Sequence, residues 1–467
     1  MKMWSGRFRQ PLDPEFERWQ RSFDFDGRLL RYELAASGAH ARALKNAGIL
    51  TADELIQILE GLEQIGQRAT ASPAFLDDPD AEDVHHFVEK QLVAIIGEIG
   101  YKLHSGRSRN EQIATDLRLY VRASIDQLRQ ELADLCGAVV ERAEQSGESA
   151  MPAYTHLQKA EPVLVAHWLL AYVEMFLRDA DRLADCRKRL NICPLGSGAV
   201  AGATVPLDRQ FMAETLSFDA PTGNSIDATS DRDFAIEFAG ALSLLAAHLS
   251  RWAEEMILFS SQEYGFIGLP EPYSTGSSAM PQKKNPDLLE LVRGKAGRVL
   301  GNATALIVAI KGLPLAYNKD LQETQQPVFE ASDSLLQMLP LMTGFLKSVD
   351  LHFDRMQEAA QSGFMNAWAG ATYLVNRGVP SRLSHERIGK AVRLCLERGC
   401  ELQDLPLSDL RAISPEFDEG FYKAITLSSV LAIHDVPGGT APERVRKAVN
   451  TTRKRIDSLR EEVHAHA

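Results

Sequence analysis

Residues 116–145 of the chain read DLRLYVRASIDQLRQELADLCGAVVERAEQ, a stretch in which apolar side chains recur at alternating intervals of four and three residues. The recurring residues are Val121, Ile125, Leu128, Leu132, Leu135 and Val139. This spacing places them on one face of an α-helix. Because no proline interrupts the stretch, the pattern predicts a helix roughly 40 Å long, which is typical of helical bundles.

Further long helices are predicted after this segment. A second apolar face is formed by Phe234, Phe238, Leu242, Leu245, Leu249, Trp252 and Met256. Helical stretches also follow Pro162 and Pro286, and a fifth runs from about Pro327 to Val349, with an internal Pro340 that should kink or split it. Strand signals are scarce. We therefore predict an all-α fold of three helical domains: residues 1–107, a central long-helix bundle 108–357, and residues 358–467.

Composition limits the possible partners and the compartment. The chain has 467 residues with a net charge of −12, which argues against binding nucleic acid or an anionic membrane. Its five cysteines are irregularly spaced, which favours reduced thiols over a disulfide framework or a zinc ribbon. No secretory signal is apparent, and the longest nearly apolar stretch, Val163–Leu177, contains His167 and Glu174. We expect a soluble, cytoplasmic protein with no membrane partner.

Candidate functional residues lie in loops where helices begin or break. In the first loop, Ser108 and Glu111 have the spacing of a capping box, so a helix N-terminus is predicted there. Arg107 and Arg109 would add fork-shaped donors to its free N–H groups, which together favour a carboxylate-binding site. An ordinary capped helix with surface arginines is the alternative for this loop taken alone.

Two further loops carry weaker signals. The loop around Thr155, His156 and Gln158 brings polar groups together, and His titrates near neutral pH, but a lone histidine is more often structural. Residues 194–202, PLGSGAVAG, resemble a degenerate dinucleotide-binding fingerprint. They follow a helical segment rather than a strand, so a glycine-rich turn packed against another backbone is the better interpretation.

The fourth loop, residues 274–287, reads STGSSAMPQKKNPD and is dense in hydroxyl, ammonium and amide donors. Such a loop can surround a dianionic ligand and stabilise a developing oxyanion. A serine becomes a useful base only where cations and N–H donors lower its pKa, and Lys283 is the natural source of positive charge.

This loop resembles that of a known family. Residues 276–286, GSSAMPQKKNP, resemble the mobile catalytic loop of the fumarase/aspartase superfamily, whose members release fumarate. The ending QKKNPD is similar to the argininosuccinate lyase family, whereas class II fumarases usually carry Gly-Lys-Val-Asn. Further short stretches also resemble motifs of that family and occur in the same order along the chain. They lie at residues 2–8, 82–85, 104–110, 154–158, 224–234, 312–323 and 438–441.

The resemblance implies both an assembly and a reaction. Three helical domains are expected, the middle one a five-helix bundle, and four subunits would form a homotetramer with a twenty-helix core. Each active site would combine loops of three subunits, so a single chain should be inactive. The implied reaction is a β-elimination of argininosuccinate to arginine and fumarate, in arginine biosynthesis, without a metal or an organic cofactor.

The resemblance also assigns roles to residues. Ser277 would be the base, helped by Lys283, and His156 would be the acid that protonates the leaving nitrogen. Thr155, Arg109, Asn110 and Asn285 would bind the succinyl carboxylates. The arginine end would meet Ser22, Tyr317 and Gln322, and His85 would line the same pocket.

Two departures from the family pattern accompany these roles. Glu111 stands where the family usually has Asp, and the capping box tolerates this change. Gln325 stands where the family usually has a substrate-contacting lysine, which removes a charge from the site. Two alternatives remain: a sister lyase acting on adenylosuccinate or aspartate, and a non-enzymatic, crystallin-like structural protein. The presence of Ser277, His156 and Lys283 argues against the second.

Overall fold

The computed structural model describes residues 10–466, so the string at residues 2–8 lies outside the described residues. The fold is all-α, as predicted. Five long helices dominate it, with bounds Arg109–Gln145, Val165–Leu190, Asp233–Ser260, Asp287–Ile310 and Gln325–Ser348. The first has 37 residues and is therefore about 55 Å long.

Further elements connect and flank these helices, and all of them except the 25-residue helix Pro442–His466 are shorter. The other α-helices are Pro14–Trp19, Phe23–Asp26, Leu30–Asn46, Ala52–Ala71, Val84–Ile96, Arg209–Thr215, Ser225–Ser230, Phe353–Ala360, Ala367–Val375, Ser381–Arg398, Leu407–Ile413, Gly420–Ala424, Leu427–Ala432 and Pro442–His466. Short 3₁₀ helices are Gly27–Leu29, Pro73–Leu76, Gly97–His104, Glu271–Tyr273, Lys319–Thr324 and Leu402–Asp404.

The strands form only two-stranded ladders in the described chain. Antiparallel pairs join Ala150–Thr155 to Gln158–Leu164, Ile267–Gly268 to Asp350–Leu351, and Thr275–Gly276 to Lys284–Asn285, while Ile192–Cys193 pairs with Ala220–Pro221 in parallel. The hairpin 150–164 replaces the loop that we expected between two helices. Its strands contain Pro152 and Pro162, which hide the usual strand pattern.

The apolar faces read from the sequence are the ones that are buried. All six side chains of the first face and all seven of the second are at most 3% exposed. The helix Gln325–Ser348 runs through Pro340 without a break, so the proline does not split it. Leu339 and Met342 are fully buried on either side of the proline, so packing holds the helix together there.

The chain divides into two compact units. The first unit comprises the residues up to Gln127, Arg182–Ser243 and Arg298–Ser334, and the second comprises Leu128–Asp181, Leu244–Gly297 and Leu335 onward. In the first unit, Leu44, Ile58 and Phe87 are fully buried among the shorter N-terminal helices. In the second, Trp252 packs against Tyr172 and Phe176 with ring centroids 5.6 Å apart. The division into three domains stays a prediction.

One helix of the described chain, Asp233–Ser260, is long and apolar enough to cross a membrane by length and composition. A single helix that passes this test is weak evidence, because core helices of other proteins pass it too. Phe238, Leu249 and Trp252 on this helix are fully buried by protein side chains.

Candidate active site

A polar pocket of about 180 Å³ lies in the first unit. It is lined by Ser22, Asp26, Glu82, Asp83, His85, Arg109, Asn110, Ile113, Tyr317, Lys319, Gln322 and Gln325. Seven of the substrate-binding residues expected from the resemblance are among them: Ser22, His85, Arg109, Asn110, Tyr317, Gln322 and Gln325. Residues separated by up to 303 positions in the chain therefore share one cavity, and Asp26, Glu82, Asp83 and Lys319 were not anticipated.

Ser22 and Asp26 are held at the pocket by a short, buried hydrogen-bond network. The Ser22 hydroxyl donates to Asp26 Oδ2 at 2.6 Å, and the Ser22 amide donates to the Glu82 carbonyl at 2.9 Å. The amide of Val84 donates to Asp26 Oδ1 at 3.0 Å. Burial, together with the charge of Asp83, raises the pKa of Asp26 to about 7. The protonation state of Asp26 near neutral pH therefore depends on its burial and on the nearby Asp83.

Arg109 is already paired with carboxylates of the protein. Its Nη1 lies 2.8 Å from Asp83 Oδ2 and 3.2 Å from Glu82 Oε2. Asp83 is also the N-cap of the helix Val84–Ile96, where its Oδ1 accepts the His86 amide at 2.7 Å. Two neighbouring carboxylates fix the orientation of the guanidinium, which still lines the pocket.

Glu111 joins the start of the longest helix to the glycine-rich turn. Its Oε1 accepts the Ser108 amide at 3.1 Å, and its Oε2 accepts the Gly198 amide at 3.0 Å. Only half of the expected capping box is present, because the Ser108 hydroxyl accepts from the amide of Asn110 instead of that of Glu111. Gly198 has φ +60°, and a Cβ there would lie 2.6 Å from the Gly202 carbonyl oxygen, so the turn requires glycine.

A wider cavity of about 630 Å³ borders the polar pocket and shares Glu82 and Arg109 with it. Its walls are the helix start 106–109 and the glycine-rich turn 198–202. Burial and the charges of Arg107 and Arg109 lower the pKa of His104, on the same wall, to about 4. The cavity therefore has two guanidinium groups on its walls, which favour an anionic ligand such as a carboxylate.

The glutamines of the pocket differ in how they are held. Gln322 donates from Nε2 to the Gln20 carbonyl at 3.1 Å. Gln325 is only 3% exposed, and its Oε1 has no hydrogen-bond partner among the described residues. A buried acceptor of this kind that lines a cavity is suited to an N–H group of a ligand. Burial also raises the pKa of Tyr317, which keeps its hydroxyl as a donor.

His156 lies at the tip of the hairpin in the second unit. Thr155 pairs with Gln158, so His156 and Leu157 form a two-residue turn with φ of 53° and 58°. Two consecutive left-handed residues without glycine are unusual, and such strain is often found at functional sites. The side chains of Thr155 and His156 are exposed, while the ring of Tyr154 packs against Phe259 and Tyr264.

The loop 274–287 of the second unit is closed by the short ladder between Thr275–Gly276 and Lys284–Asn285. The hydroxyl of Ser277 accepts the amides of Ala279 at 3.2 Å and of Met280 at 3.1 Å. Two N–H donors favour the deprotonated form of the hydroxyl. Asn285 Nδ2 lies 3.4 Å from Thr275 Oγ1, and Lys283 is exposed to solvent.

Comparison with known proteins gives the family. Residues 6–301 match a lyase family, and residues 364–432 match the argininosuccinate lyase C-terminal family. The argininosuccinate lyase of Koribacter versatilis is 59% identical over 467 residues, which is 100% of both chains. The chain belongs to the argininosuccinate lyase family. The argininosuccinate lyase of Acidobacterium capsulatum is 58% identical, covering 98% of this chain and 96% of its own.

Solved structures share the fold of this chain. EDDS lyase in complex with formate matches with a TM-score of 0.85 and 26% identity, over 98% of this chain and 92% of that chain. A class II fumarase from Schistosoma mansoni, at 16% identity and a TM-score of 0.73, shares the fold over 85% of this chain and 90% of that chain. The predictions of the fumarase/aspartase superfamily and of a carbon–nitrogen lyase of the argininosuccinate lyase type are confirmed.

Proposed function

We propose that the protein cleaves argininosuccinate to arginine and fumarate in the cytoplasm, as a step of arginine biosynthesis. The observation that carries this proposal is the 59% identity, over the full length, to an argininosuccinate lyase. The polar pocket supports it independently, because seven residues expected at the substrate line that one cavity.

The reaction is an elimination across a carbon–nitrogen bond. A base removes a proton from the succinyl carbon next to the one that bears nitrogen, the C–N electron pair leaves with nitrogen, and an acid protonates it. Ser277 is the proposed base, since the amides of Ala279 and Met280 stabilise its alkoxide and Lys283 adds positive charge. His156 is the proposed acid, a common role of an imidazolium.

The proposed binding residues match the charges of the substrate. Arg109, Asn110, Thr155 and Asn285 would hold the succinyl carboxylates. Asp26, Glu82 and Asp83 give the pocket a negative wall suited to the cationic groups of the arginine end, beside Ser22, Tyr317 and Gln322. The buried Oε1 of Gln325 offers that end an acceptor where the family usually has lysine. Cations and N–H donors supply the stabilisation, so the mechanism needs no metal or organic cofactor.

The proposed assembly is a homotetramer whose long helices form a twenty-helix core and whose active sites combine three subunits. Large apolar side chains are exposed on the long helices, namely Leu244, Leu291, Leu300, Ile307, Val308 and Leu341. Such side chains along one set of helices support burial against other copies of the chain. The three domains 1–107, 108–357 and 358–467 and the absence of nucleic-acid and membrane partners complete the proposal.

The test is fumarate release, followed by its ultraviolet absorbance, from three substrates. We expect purified protein to release fumarate from argininosuccinate and to release at most traces from adenylosuccinate or aspartate. Release from one of those two instead of argininosuccinate would contradict the proposed substrate while leaving the superfamily in place. Arginine should appear in equal molar amount, which amino-acid analysis of the same reaction checks.

A further inference from the structure

Three helices bring a buried cluster of titratable groups to the base of the polar pocket. Glu33 comes from the helix Leu30–Asn46, His85 from Val84–Ile96, and Asp116 from Arg109–Gln145. The three side chains are 1%, 6% and 0% exposed, and one nitrogen or oxygen atom of each lies within 4.8 Å of those of the other two. Only His85 of the three lines the pocket. Glu33 and Asp116 can therefore affect a ligand in the pocket only by acting on His85.

Two carboxylates approach the same nitrogen atom of the imidazole ring. His85 Nε2 lies 3.1 Å from Asp116 Oδ2 and 3.7 Å from Glu33 Oε2. Glu33 is held in place because its Oε1 accepts the Ser37 hydroxyl at 2.5 Å and Gln112 Nε2 at 3.1 Å. Glu33 Oε2 and Asp116 Oδ1 have no hydrogen-bond partner among the described residues. The closeness of the two carboxylates therefore favours a proton between them and a proton on the ring.

A proton on Nε2 is required by this geometry, and the surrounding charges favour a second proton on Nδ1. Burial by itself lowers the pKa of His85, but the Asp116 hydrogen bond and the charges of Glu33 and Asp83 raise it to about 9. The other titratable or charged groups that face the cluster include Arg107, whose Nη1 lies 3.8 Å from Glu33 Oε1, together with Asp26 and His104. Burial and the charge of Glu33 raise the pKa of Asp116 to about 8, so between pH 8 and pH 9 an ionised Asp116 faces a protonated His85.

The other ring nitrogen remains available. Among the described residues, Nδ1 has no hydrogen-bond partner, and its nearest carboxylate oxygen, Asp83 Oδ1, is 3.8 Å away. We propose that Glu33 and Asp116 are positioning residues that hold His85 as a fixed imidazolium, and that its Nδ1–H binds a carboxylate of the substrate. The identity of that substrate rests on the proposed function.

The experiment compares Asp116→Asn and Glu33→Gln with the conservative Glu33→Asp. Deuterium exchange at the ring carbon of each histidine, read by mass spectrometry across pH, reports the pKa of His85 without substrate. A matched control is Asp179→Asn, because Asp179 is 1% exposed and contacts His248 Nδ1 at 2.6 Å in the second unit. Thermal unfolding of every variant shows which ones remain folded.

For the unchanged protein we expect His85 to titrate near pH 9, well above the ordinary pKa of a histidine, which is about 6.5. The imidazolium is present below the raised pKa, so kcat/KM should fall as pH rises through about 9. Asp116→Asn and Glu33→Gln should move both transitions to lower pH and raise KM about tenfold at pH 8 through loss of a charged hydrogen bond. Glu33→Asp should retain most of the raised pKa of His85, and Asp179→Asn should leave the pH dependence of kcat/KM unchanged.

Several outcomes would overturn the inference. One is an ordinary pKa for His85 in the unchanged protein. Another is a lower Tm for Asp116→Asn with an unmoved pH profile, which would give Asp116 a purely structural role. A third is a stoichiometric metal ion that is bound by the unchanged protein and lost in Asp116→Asn. That result would show that the cluster holds a metal cation and not a protonated imidazole. Failure to cleave argininosuccinate would end the proposed function instead, while the exchange measurement on His85 would stand.

Discussion

The polar pocket of the first unit and the loop 274–287 of the second unit are built in opposite ways. In the pocket, Ser22, His85, Gln322 and Gln325 are each at most 8% exposed. In the loop, Ser277 is partly exposed and Lys283 is exposed, and the hairpin residue His156 is exposed as well. The proposed function thus places most of the binding residues in a region that folding has already ordered, and it places the proton-transfer residues, together with Thr155 and Asn285, on short turns.

This difference has a physical reason. A buried, hydrogen-bonded pocket meets its ordering cost when the chain folds, so substrate binding adds little further ordering there. Groups that transfer protons must meet the substrate closely and exclude water, yet must also let it enter and leave. Turns anchored by short ladders, such as Thr275–Gly276 with Lys284–Asn285, provide such groups with a fixed base. Mutations in the exposed turns should therefore mainly lower kcat, whereas mutations in the buried pocket should mainly raise KM.

The sharpest break in the comparison should come from the exposed groups. We expect Ser277→Ala and His156→Ala each to lower kcat about a thousandfold, because each removes one proton-transfer group. If the two groups come from different subunits, mixing the two inactive tetramers under subunit exchange should restore part of the activity. The measurement is fumarate release before and after exchange, with the exchange itself proven by a tagged subunit.

The control for this prediction is each variant exchanged with itself, which must stay inactive. Mixtures that remain inactive after proven exchange would contradict the shared site. Full activity of either single variant would instead remove that residue from the proposed mechanism. Neither result would touch the buried pocket.

The same contrast explains what the sequence revealed. The apolar spacing of residues such as Val121 and Leu128 predicts the long helices, because helical period alone decides which side chains are buried. Tyr154–Gln158 predicts no hairpin, because neither His156 nor Leu157 favours a left-handed turn. The contacts of Tyr154 with Phe259 and Tyr264, about 100 residues away, support that conformation instead.

Buried polar groups were the least predictable part of the site. The motif strings include Glu82, Asp83, His85 and Arg109, but they do not show that Glu82 and Asp83 pair with Arg109, and they do not include Glu33 or Asp116. Glu33 lies 52 residues from His85 and on a different helix, so no local pattern connects the two. Arg109 reads as a free donor for a substrate carboxylate, whereas folding brings Asp83 and Glu82 to it. Long-range pairing of this kind becomes visible only when the helices are packed.

A smaller effect is expected inside the pocket. Gln325→Met keeps the side-chain length but removes the unpartnered Oε1, so KM should rise about tenfold while kcat stays nearly constant. Because a buried polar group without a partner is costly, the same change should raise the free energy of unfolding by about 1 kcal/mol. Steady-state kinetics and chemical denaturation measure the two effects on one preparation.

Gln325→Glu is the matched control for this change, since it retains an oxygen acceptor. Its KM should stay within about threefold of the unchanged protein, a difference below 1 kcal/mol. A KM that is unaffected by Gln325→Met would show that the oxygen does not meet the substrate. A loss of stability would show that Gln325 has a partner inside the protein.

The smallest effect should come from the support of the exposed hairpin. Lys159 follows the turn and donates from Nζ to the Ala359 carbonyl at 2.8 Å and to the Ser362 hydroxyl at 3.0 Å. Because the side chain is largely exposed, Lys159→Met should lower kcat only about threefold, and Lys159→Arg should be nearly neutral. If Lys159→Met instead reduced kcat as far as His156→Ala does, an exposed contact would be controlling the proposed acid, and the contrast between a preformed pocket and lightly supported turns would fail.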